Sequence, residues 1–348
     1  MGKFECTFSD CGIPSQKGVN LSSVGRWDGI GIQRFMKLDC YQNYIQSGSR
    51  MFVCAPNGQW ATDMKCVIDH CASSPCKNGG NCKSNSTTFS CQCAYRFIGN
   101  TCEERHKSCM EILQSDPGVE GNDGVYSIDV NDQEKKVYCD MTTDGGGWTI
   151  IQKRQDGSTD FYKTWADYKK GFGDPSKNYW LGNDGIHYLT MTNQELRVEL
   201  LSFADEKAYA LYSTFQIGSE SSKYQLTVSG YSGTAGDSLI RFHSGDQFTT
   251  WDQDNDRSNR NCAEDLHGAW WYRDCAKSNL NGQYAGSAVS DRKYPFWYHW
   301  KSTKALKGTE MMISPRININ IYCINQKTKS CPEYGYFTSD EKRTVTDG

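Results

Sequence analysis

The cysteines of this chain are numerous and very unevenly distributed. Of seventeen, twelve fall in residues 1–110, three in residues 111–316 and two in the remaining tail. Small domains that bury too little apolar surface are commonly stabilised by disulfides, and disulfides persist in oxidising compartments. The distribution therefore predicts an extracellular chain with small disulfide-bonded modules first, then a larger domain with a conventional core and a short appendage.

Several other classes of protein are disfavoured. The sequence has no C-x2-C pair and no H-E-x-x-H motif, which zinc sites typically carry. A net charge of -3 and a pI near 6.1 argue against nucleic acid as a partner. No apolar run approaches the roughly 18 residues of a membrane span, and no G-x-S-x-G motif indicates a catalytic serine. We expect a protein that is not an enzyme and has neither a nucleic-acid partner nor a membrane span.

The first residues of the chain conflict with secretion. Up to Cys6 they contain no apolar stretch of the kind that a secretory signal peptide needs. Because the cysteines argue strongly for an oxidising compartment, we expect the sequence to be a fragment or a mature form, or to lack a first exon.

The first cysteine cluster occupies residues 10–67, after an N-terminal segment of residues 1–9. Alternating apolar residues around Ser47-Gly48 and Asn57-Gly58 predict short antiparallel strands, and Trp60 is expected to supply most of a very small core. The cluster resembles a sushi (complement control) module, although Met64 stands where that family usually has a proline. The resemblance implies Cys11–Cys54 and Cys40–Cys66; an unrelated four-cysteine domain is the alternative.

Six further cysteines in residues 70–103 have intervals of 4, 5, 8, 1 and 8 residues. Six cysteines permit many pairings, so the spacing alone does not determine the disulfides. The pattern resembles an EGF module, which implies Cys71–Cys82, Cys76–Cys91 and Cys93–Cys102. Of the acidic and amide residues that calcium-binding EGF modules carry, only Asp69 is present here. We therefore expect a spacer that binds no calcium.

Three glycosylation sites are predicted in these modules. Asn20 and Asn85 each begin an N-x-[ST] motif in a loop-like stretch. The stretch from Cys71 to Cys76 resembles the O-glucosylation pattern of EGF modules, which implies Ser73 as the acceptor.

From residue 107 to residue 316 the sequence becomes aromatic and glycine-rich. Alternation at 124–128 and 136–140 predicts strands, and Gly145-Gly146-Gly147 predicts a turn that enters another strand at Trp148. The motifs that follow are Trp165-Ala-Asp-Tyr168, Trp180-Leu-Gly182-Asn183, Glu195-Leu-Arg197, Asn261-Cys262-Ala263, Gly268-Ala-Trp270-Trp271-Tyr272 and Asn279-Leu-Asn281-Gly282.

Together these motifs resemble the fibrinogen-related domain of fibrinogen chains, ficolins, tachylectins, angiopoietins and tenascins. The resemblance implies an α+β fold, the disulfides Cys109–Cys139 and Cys262–Cys275, and a ligand-binding subdomain toward the C-terminal end. The predicted fold class is thus multidomain and disulfide-rich, with a small all-β sushi module, a small β EGF module and an α+β fibrinogen-like domain. A C-terminal tail of residues 317–348 follows.

Asp252, Asp254 and Asp256 place three carboxylates on one short stretch. Such carboxylates repel each other unless a hard cation lies among them, and Ca²⁺ accepts about six to eight oxygen ligands. An EF-hand would need a glycine and a glutamate that are missing here, and a solvated acidic turn is the alternative. The fibrinogen-related resemblance implies calcium bound by the side chains of Asp254 and Asp256 and by the backbone oxygens of Ser258 and Arg260.

The same resemblance implies a ligand pocket beside the Cys262–Cys275 bridge. In ficolins and tachylectins the peptide before the second cysteine is cis; the matching bond here is Asp274–Cys275, at a cost of roughly 3 kcal/mol. Because Leu266 replaces a common aromatic residue and Ala276 a histidine, acetyl specificity is not implied, and we expect weak binding of N-acetyl sugars at best. The expected ligand-binding residues are Leu266, Trp271, Tyr272, Asp274, Cys275 and Ala276.

Three cysteines have no implied partner. Cys323 and Cys331 can close a loop within the tail, which leaves Cys6 as a candidate for an interchain disulfide in a homo-oligomer. The sequence has neither Gly-X-Y repeats nor sustained heptads, so it does not indicate how the chain would multimerise.

The predicted function is calcium-dependent recognition outside the cell, by lectin-like binding of acetylated or otherwise decorated glycans in innate immunity. One alternative is an angiopoietin-like receptor ligand, which the segment 294–301 favours. Another is a tenascin-like matrix or adhesion protein, which the order of EGF and fibrinogen-like modules favours, although no fibronectin-type repeats occur. The expected partners are therefore glycans or cell-surface and matrix proteins.

Overall fold

The computed structural model describes residues 11–24, 34–94 and 97–315. These residues fall into two units. The first comprises residues up to Asn122 together with Tyr126–Lys136, and the second comprises Asp123–Val125 together with residues from Val137 onward. The predictions that lie outside the described residues are those for the segment 1–9, the tail 317–348, Cys6, Cys323 and Cys331.

The first unit consists mainly of short antiparallel strands. Strand β5 pairs with both β2 and β6, and the other pairs are β1 with β3, β4 with β7, β8 with β9 and β10 with β11. The elements are β1 (Val19–Asn20), β2 (Phe35–Lys37), β3 (Asp39–Cys40), β4 (Tyr44–Ser47), β5 (Met51–Cys54), β6 (Trp60–Ala61), β7 (Lys65–Ile68), β8 (Asn81–Ser84), β9 (Phe89–Gln92), β10 (Phe97–Ile98), β11 (Glu104–Arg105) and the helix α1 (Cys109–Ser115).

The apolar core of residues 10–67 is very small. Its buried members are Val19, Leu38, Phe52 and Met64. Trp60 lies at the edge of this cluster, where its ring meets Phe52 edge-on and its Nε1–H donates to the Gly12 carbonyl at 3.0 Å. The prediction that Trp60 supplies most of the core is therefore wrong: Trp60 is only partly buried and packs against the four buried side chains, with its N–H bonded to the Gly12 carbonyl.

Two disulfides cross-link the residues around this small core, and three more cross-link residues 71–102. Cys82 and Cys91 lie opposite each other in the hairpin of β8 and β9 but bond to different partners, so the hairpin is tied to the chain on both sides. The disulfides are Cys11–Cys54, Cys40–Cys66, Cys71–Cys82, Cys76–Cys91 and Cys93–Cys102. These are the pairs that the two module resemblances imply, and none crosses between the two cysteine clusters.

The predicted glycosylation sites lie in the first unit. The Asn20 side chain accepts a hydrogen bond from the Ser22 amide at 3.0 Å, and exposed Asn85 accepts from the amides of Thr87 and Thr88. Ser73 is exposed in the loop before β8. Their modification stays a prediction.

The second unit is built on an antiparallel sheet with short helices. In it the strand order is β13-β14-β20-β17-β18-β19, so the last strand of the chain lies between β14 and β17. Strands β12 (Gly124–Val130) and β13 (Gln133–Asp140) contribute residues to both units. The others are β14 (Trp148–Arg154), β15 (Phe172–Gly173), β16 (Tyr179–Trp180), β17 (Gln194–Ser202), β18 (Lys207–Ile217), β19 (Leu226–Gly233) and β20 (Leu306–Pro315).

Five short helices lie between these strands. They are α2 (Trp165–Lys170), α3 (Asn183–Leu189), α4 (Ile240–His243), α5 (Cys262–Asp265) and α6 (Tyr298–Lys301). Helix α2 begins at a capping box, in which the Thr164 side chain accepts from the Asp167 amide and the Asp167 side chain accepts from the Thr164 amide. The mixture of sheet and helix confirms the predicted α+β class. Among the described residues, no helix combines the length and the apolar character needed to cross a lipid bilayer.

The predicted glycine turn before Trp148 is present. Gly146 has φ +77°, and a Cβ there would lie 2.4 Å from the backbone oxygen of Met141, so no other residue fits without a shift. The turn delivers Trp148 to the start of β14, where it packs with Ile150 and Met312 in the sheet.

Aromatic side chains fill the core between the sheet and the loops that follow β19. Trp180, Phe248 and Trp271 are fully buried, and the Phe248 ring lies 5.9 Å from Trp180 and 5.2 Å from Trp271. Trp271 Nε1–H donates to the Tyr224 carbonyl at 2.7 Å, so the indole is satisfied although it is buried. This packing supports the chain segments that carry the candidate site.

Candidate functional site

The acidic loop, defined here as residues 252–260, leads into helix α5. Asp256 accepts two backbone hydrogen bonds of 2.8 Å, from the Ser258 amide to Oδ1 and from the Cys262 amide to Oδ2. Asp254 Oδ1 accepts from the Asp256 amide at 3.2 Å. Burial raises the pKa of Asp256, and the neighbouring Asp254 carboxylate raises it further. The Asp254 carboxylate therefore lies close enough to disfavour the charged form of Asp256.

The cationic side chains of the acidic loop do not neutralise this pair. The Arg257 guanidinium binds Asp246 at 2.7 Å, and the Arg260 guanidinium binds Asp265 at 3.1 Å. In the described part of the chain, the backbone oxygens of Ser258 and Arg260 accept no hydrogen bond. Two mutually repelling carboxylates and two unpaired carbonyl oxygens form a set of hard oxygen donors, which suits Ca²⁺.

The third carboxylate of the loop has a different role. Asp252 Oδ1 accepts from the Trp165 amide at 2.9 Å and from the Thr250 hydroxyl at 2.8 Å, so it fixes the start of helix α2. Within the described residues, no cluster of three or more His, Cys, Asp or Glu side chains could hold a metal ion. A cation at this loop would therefore depend on backbone oxygens as well as on Asp254 and Asp256.

An open cavity of about 480 Å³ lies beside the Cys262–Cys275 disulfide. Three parts of the second unit form it: helix α4, the segment 273–277, and the segment 292–303 that includes α6. The lining residues are Phe242, Arg273, Asp274, Cys275, Ala276, Lys277, Arg292, Tyr298 and Thr303. We call this cavity the bridge pocket.

The bridge pocket contains half of the residues predicted to bind ligand. Asp274, Cys275 and Ala276 line it, whereas Leu266, Trp271 and Tyr272 do not. Trp271 and Tyr272 are fully buried, and Tyr272 donates its hydroxyl to Asn279 Oδ1 at 2.7 Å. The prediction for Leu266, Trp271 and Tyr272 is corrected on this point: none of them lines the pocket, because all three side chains are buried in the interior of the unit.

The predicted cis peptide is also absent. The described residues contain no cis peptide bond, so the Asp274–Cys275 bond is trans and the prediction is wrong. A non-proline cis bond costs roughly 3 kcal/mol and persists only where its surroundings impose it. Here the Cys262–Cys275 bridge and the adjoining turn form with the less costly trans bond.

The remaining lining residues were not predicted. Tyr298 belongs to the aromatic segment 294–301, which favoured the angiopoietin-like alternative in the sequence, and helix α6 places it on the pocket. Lys277 directly follows the predicted Ala276. Phe242 and Arg292 belong to no recognisable motif, so only the folded chain shows that they share a cavity.

The backbone beneath the pocket is held by a buried histidine. His243 Nδ1 lies 2.7 Å from the Trp271 carbonyl, and Nε2 accepts from the Lys277 amide at 3.1 Å and the Ser278 amide at 3.3 Å. This pattern requires the neutral ring with its proton on Nδ1. Burial lowers the pKa of His243 to about 4, so the ring stays neutral well into the acidic range.

A buried carboxylate joins the acidic loop to the bridge pocket. Asp246, 1% exposed at its side chain, binds Arg257 of the loop and Arg273 of the pocket, each at 2.7 Å. The Arg257 amide also donates to the Arg273 carbonyl at 2.8 Å. The position of the loop and the position of the pocket wall are therefore mechanically linked.

The second unit is thus an antiparallel α+β domain with a surface pocket beside a disulfide and an oxygen-rich loop, as expected of a ligand-binding domain. The sequence model described as "Fibrinogen beta and gamma chains, C-terminal globular domain" matches residues 105–316, and the chain belongs to this family. The match begins at residue 105, so the sushi and EGF assignments of residues 10–67 and 70–103 stay predictions.

Individual relatives agree with this assignment. The chain is 47% identical over 222 residues to Fibrinogen C domain-containing protein 1-A of Xenopus laevis, which covers 60% of this chain and 47% of the relative. It is 46% identical over 196 residues to ficolin-3 of Homo sapiens, which covers 56% of this chain and 64% of the relative. The chain thus spans about half the length of the first relative.

A solved structure shows the same fold. The fibrinogen-like globe domain of human ANGPTL6 superposes with a TM-score of 0.58 at 38% sequence identity. The superposition covers 61% of this chain and 96% of that structure. The likeness therefore extends over nearly the whole of that domain.

Proposed function

We propose that this chain is a non-enzymatic, extracellular recognition protein that binds glycans in the bridge pocket with calcium bound at the acidic loop. The observation that carries the proposal is the connection between the two places through Arg257, Asp246 and Arg273. The disulfides support an oxidising compartment. The 46% identity to ficolin-3 supports a lectin-like function.

Calcium would be held by the carboxylates of Asp254 and Asp256 and the backbone oxygens of Ser258 and Arg260. When bound, the ion supplies a positive charge that cancels the repulsion between the two carboxylates. The chain's own residues then convey the order of the loop to the pocket, because the Arg257 amide is bonded to the Arg273 carbonyl. Asp246 holds both arginine side chains.

A receptor ligand is the second candidate. Tyr298 and Phe242 present aromatic surface in the bridge pocket, and the structural match to the globe domain of human ANGPTL6 supports a protein partner for this face. Sugars and protein side chains both pack on aromatic rings. The aromatic surface therefore fits both candidates, and an experiment must distinguish a glycan ligand from a protein partner.

Calcium binding is tested by thermal unfolding with and without the ion. A ligand that binds only the folded state stabilises it by about 2.7 kcal/mol at a hundredfold excess over its Kd. We expect calcium to raise the Tm of the second unit, and Asp254→Asn to abolish most of the rise. Asp291→Asn is the matched control, since Asp291 pairs with Lys293 away from the loop. An equal rise in the Asp254 variant would contradict the assignment.

Ligand class is tested on the full chain by a glycan array and a cell-surface receptor screen, each with calcium and with chelator. We expect binding of glycans that is lost with chelator and with Asp246→Asn. Binding confined to a protein receptor would favour the second candidate and exclude the lectin-like function.

A further inference from the structure

The bridge pocket carries positive charge, although the chain as a whole does not. Arg273, Lys277 and Arg292 line it, against one carboxylate, that of Asp274. The whole chain has a net charge of -3. The charge of the pocket therefore arises from how the fold gathers side chains, and the three cations need to be considered one by one.

Arg273 is held by the protein through all three of its guanidinium nitrogens. Its Nε binds Asp246 at 2.7 Å, and its Nη atoms donate to the carbonyls of Arg241 and Ser244 at 3.3 and 3.2 Å. This guanidinium supports the pocket wall and has little left to offer a ligand.

Lys277 and Arg292 differ from Arg273. Among the described residues, neither forms an ion pair with a carboxylate. Arg292 donates through Nη2 to the Ala276 carbonyl at 2.9 Å, which orients the guanidinium. Within the described ranges its other N–H groups have no hydrogen-bond partner. Two oriented cations without a carboxylate partner thus border the same cavity.

Aromatic rings hold the Lys277 ammonium in place. Nζ lies 3.7 Å from the centroid of the Tyr298 ring and 5.2 Å from that of Phe242. The backbone of Lys277 is fixed as well, since its amide donates to His243 and its carbonyl accepts from the Tyr298 amide at 2.9 Å. An ammonium held in this way is pre-organised to meet an anion, because little rotamer freedom remains to be lost.

We propose that the bridge pocket selects a sugar with an anionic substituent, a carboxylate or a sulfate, which is bound by Lys277 and Arg292 beside the rings of Tyr298 and Phe242 that hold the Lys277 ammonium. Charge-assisted hydrogen bonds to an anion are about twice as strong as neutral ones, and arginine matches its planar oxygens. Ala276 leaves space at the pocket floor. The inference rests on the proposed function and adds to it the class of glycan.

The test is calorimetric titration of the full chain, with calcium, using four probes. They are 3′-sialyllactose, which carries a carboxylate, N-acetylglucosamine 6-sulfate, neutral N-acetylglucosamine, and inorganic sulfate. We expect at least one acidic sugar to bind about tenfold or more tightly than the neutral sugar, which corresponds to about 1.4 kcal/mol. The stronger of the two acidic probes identifies the substituent, and added salt should weaken it selectively.

Substitutions locate the effect. Lys277→Gln and Arg292→Gln should each remove most of the advantage of the acidic sugar, and Lys277→Arg should retain part of it. Lys293→Gln is the matched control, because Lys293 neighbours Arg292 in sequence but pairs with Asp291 and does not line the pocket. Melting curves verify folding; since Arg292 is exposed, its variant tests the proposal even if Lys277→Gln is unstable.

The outcomes distinguish failure of the charge selection from failure of the proposed glycan binding. If neutral and acidic sugars bind equally and the Lys277 and Arg292 variants change neither, the charge selection is refuted while glycan binding stands. If inorganic sulfate binds as tightly as the sulfated sugar, the sugar assignment is refuted. If no sugar binds at all, the proposed lectin-like function itself fails.

Discussion

The two units of this protein reach stability by different physical means. In the first, residues 10–67 bury a cluster of four apolar side chains, and five disulfides cross-link residues 11–102. In the second, a broad antiparallel sheet and a buried aromatic core provide most of the stability. A disulfide acts mainly by restricting the unfolded chain, whereas a core acts by removing apolar surface from water. The comparison predicts that the first unit is destabilised most by loss of a disulfide and the second by loss of a buried aromatic side chain.

The largest expected effect is loss of the first module when a disulfide is removed. Replacing Cys11 and Cys54 together with alanine opens a link between residues 43 positions apart. Such a loss typically costs about 2–5 kcal/mol, which is comparable with the whole net stability that so small a core supplies, so we expect residues 11–66 to unfold. Hydrogen exchange at Met51–Cys54 should become fast.

The matched control is removal of the disulfide in the second unit. With Cys262→Ala and Cys275→Ala, amides of the central strand β20 should stay protected, because the sheet and aromatic core remain. If both double variants left their units equally protected, the contrast between covalent and apolar stabilisation would be wrong.

The next effect concerns the aromatic core. Trp271→Ala should lower the free energy of unfolding of the second unit by about 3–5 kcal/mol, through lost burial and the cavity that remains. Trp251→Ala is the control, since Trp251 is 38% exposed; we expect a clearly smaller change, about 1 kcal/mol. Guanidinium denaturation followed by near-ultraviolet circular dichroism measures both. Equal shifts for the two variants would show that Trp271 is not a core residue in solution.

The smallest effect depends on pH and on His243. The ordinary pKa of histidine, about 6.5, falls to about 4 in the folded protein, chiefly because of burial, with Arg273 lowering it and Asp237 raising it. The stability is therefore complete above pH 6.5 and declines as the pH falls toward 4, by up to about 3 kcal/mol. Protonation of His243 at Nε2 would also remove the acceptor of the hydrogen bond from the Lys277 amide.

His243→Asn tests this dependence. The variant should be less stable than the parent at pH 7, but its stability should change less between pH 6.5 and pH 4. The Tm of the second unit, measured across that range, gives the slope directly. A parent protein with no such slope would contradict the assignment of a neutral, buried His243.

Sequence reasoning worked best where a pattern is local. The cysteine clusters were recognised by their resemblance to known modules, and that resemblance implied the pairs found in residues 11–102. Trp148 after three glycines indicated the start of β14. It was less successful for Trp60, Trp271 and Tyr272, because the type of an aromatic residue does not say whether it faces a core or a cavity. The prediction of a cis peptide bond was wrong for a related reason. It was carried over from a family resemblance, and nothing in the Asp274–Cys275 sequence itself imposes a cis bond.

Through the family resemblance, the motifs also implied the α+β character of the second part. The sequence by itself determined the division into disulfide-rich and aromatic parts, and the acidic loop with Asp254 and Asp256. These depend on composition and on spacing along the chain. The tertiary structure alone decided that Lys277 and Arg292 share one cavity and that Asp246 links Arg257 to Arg273. Such relations depend on contacts between segments that are distant in sequence. The packing of the whole core determines which side chains become neighbours, so no local sequence pattern predicts where a charged side chain will lie.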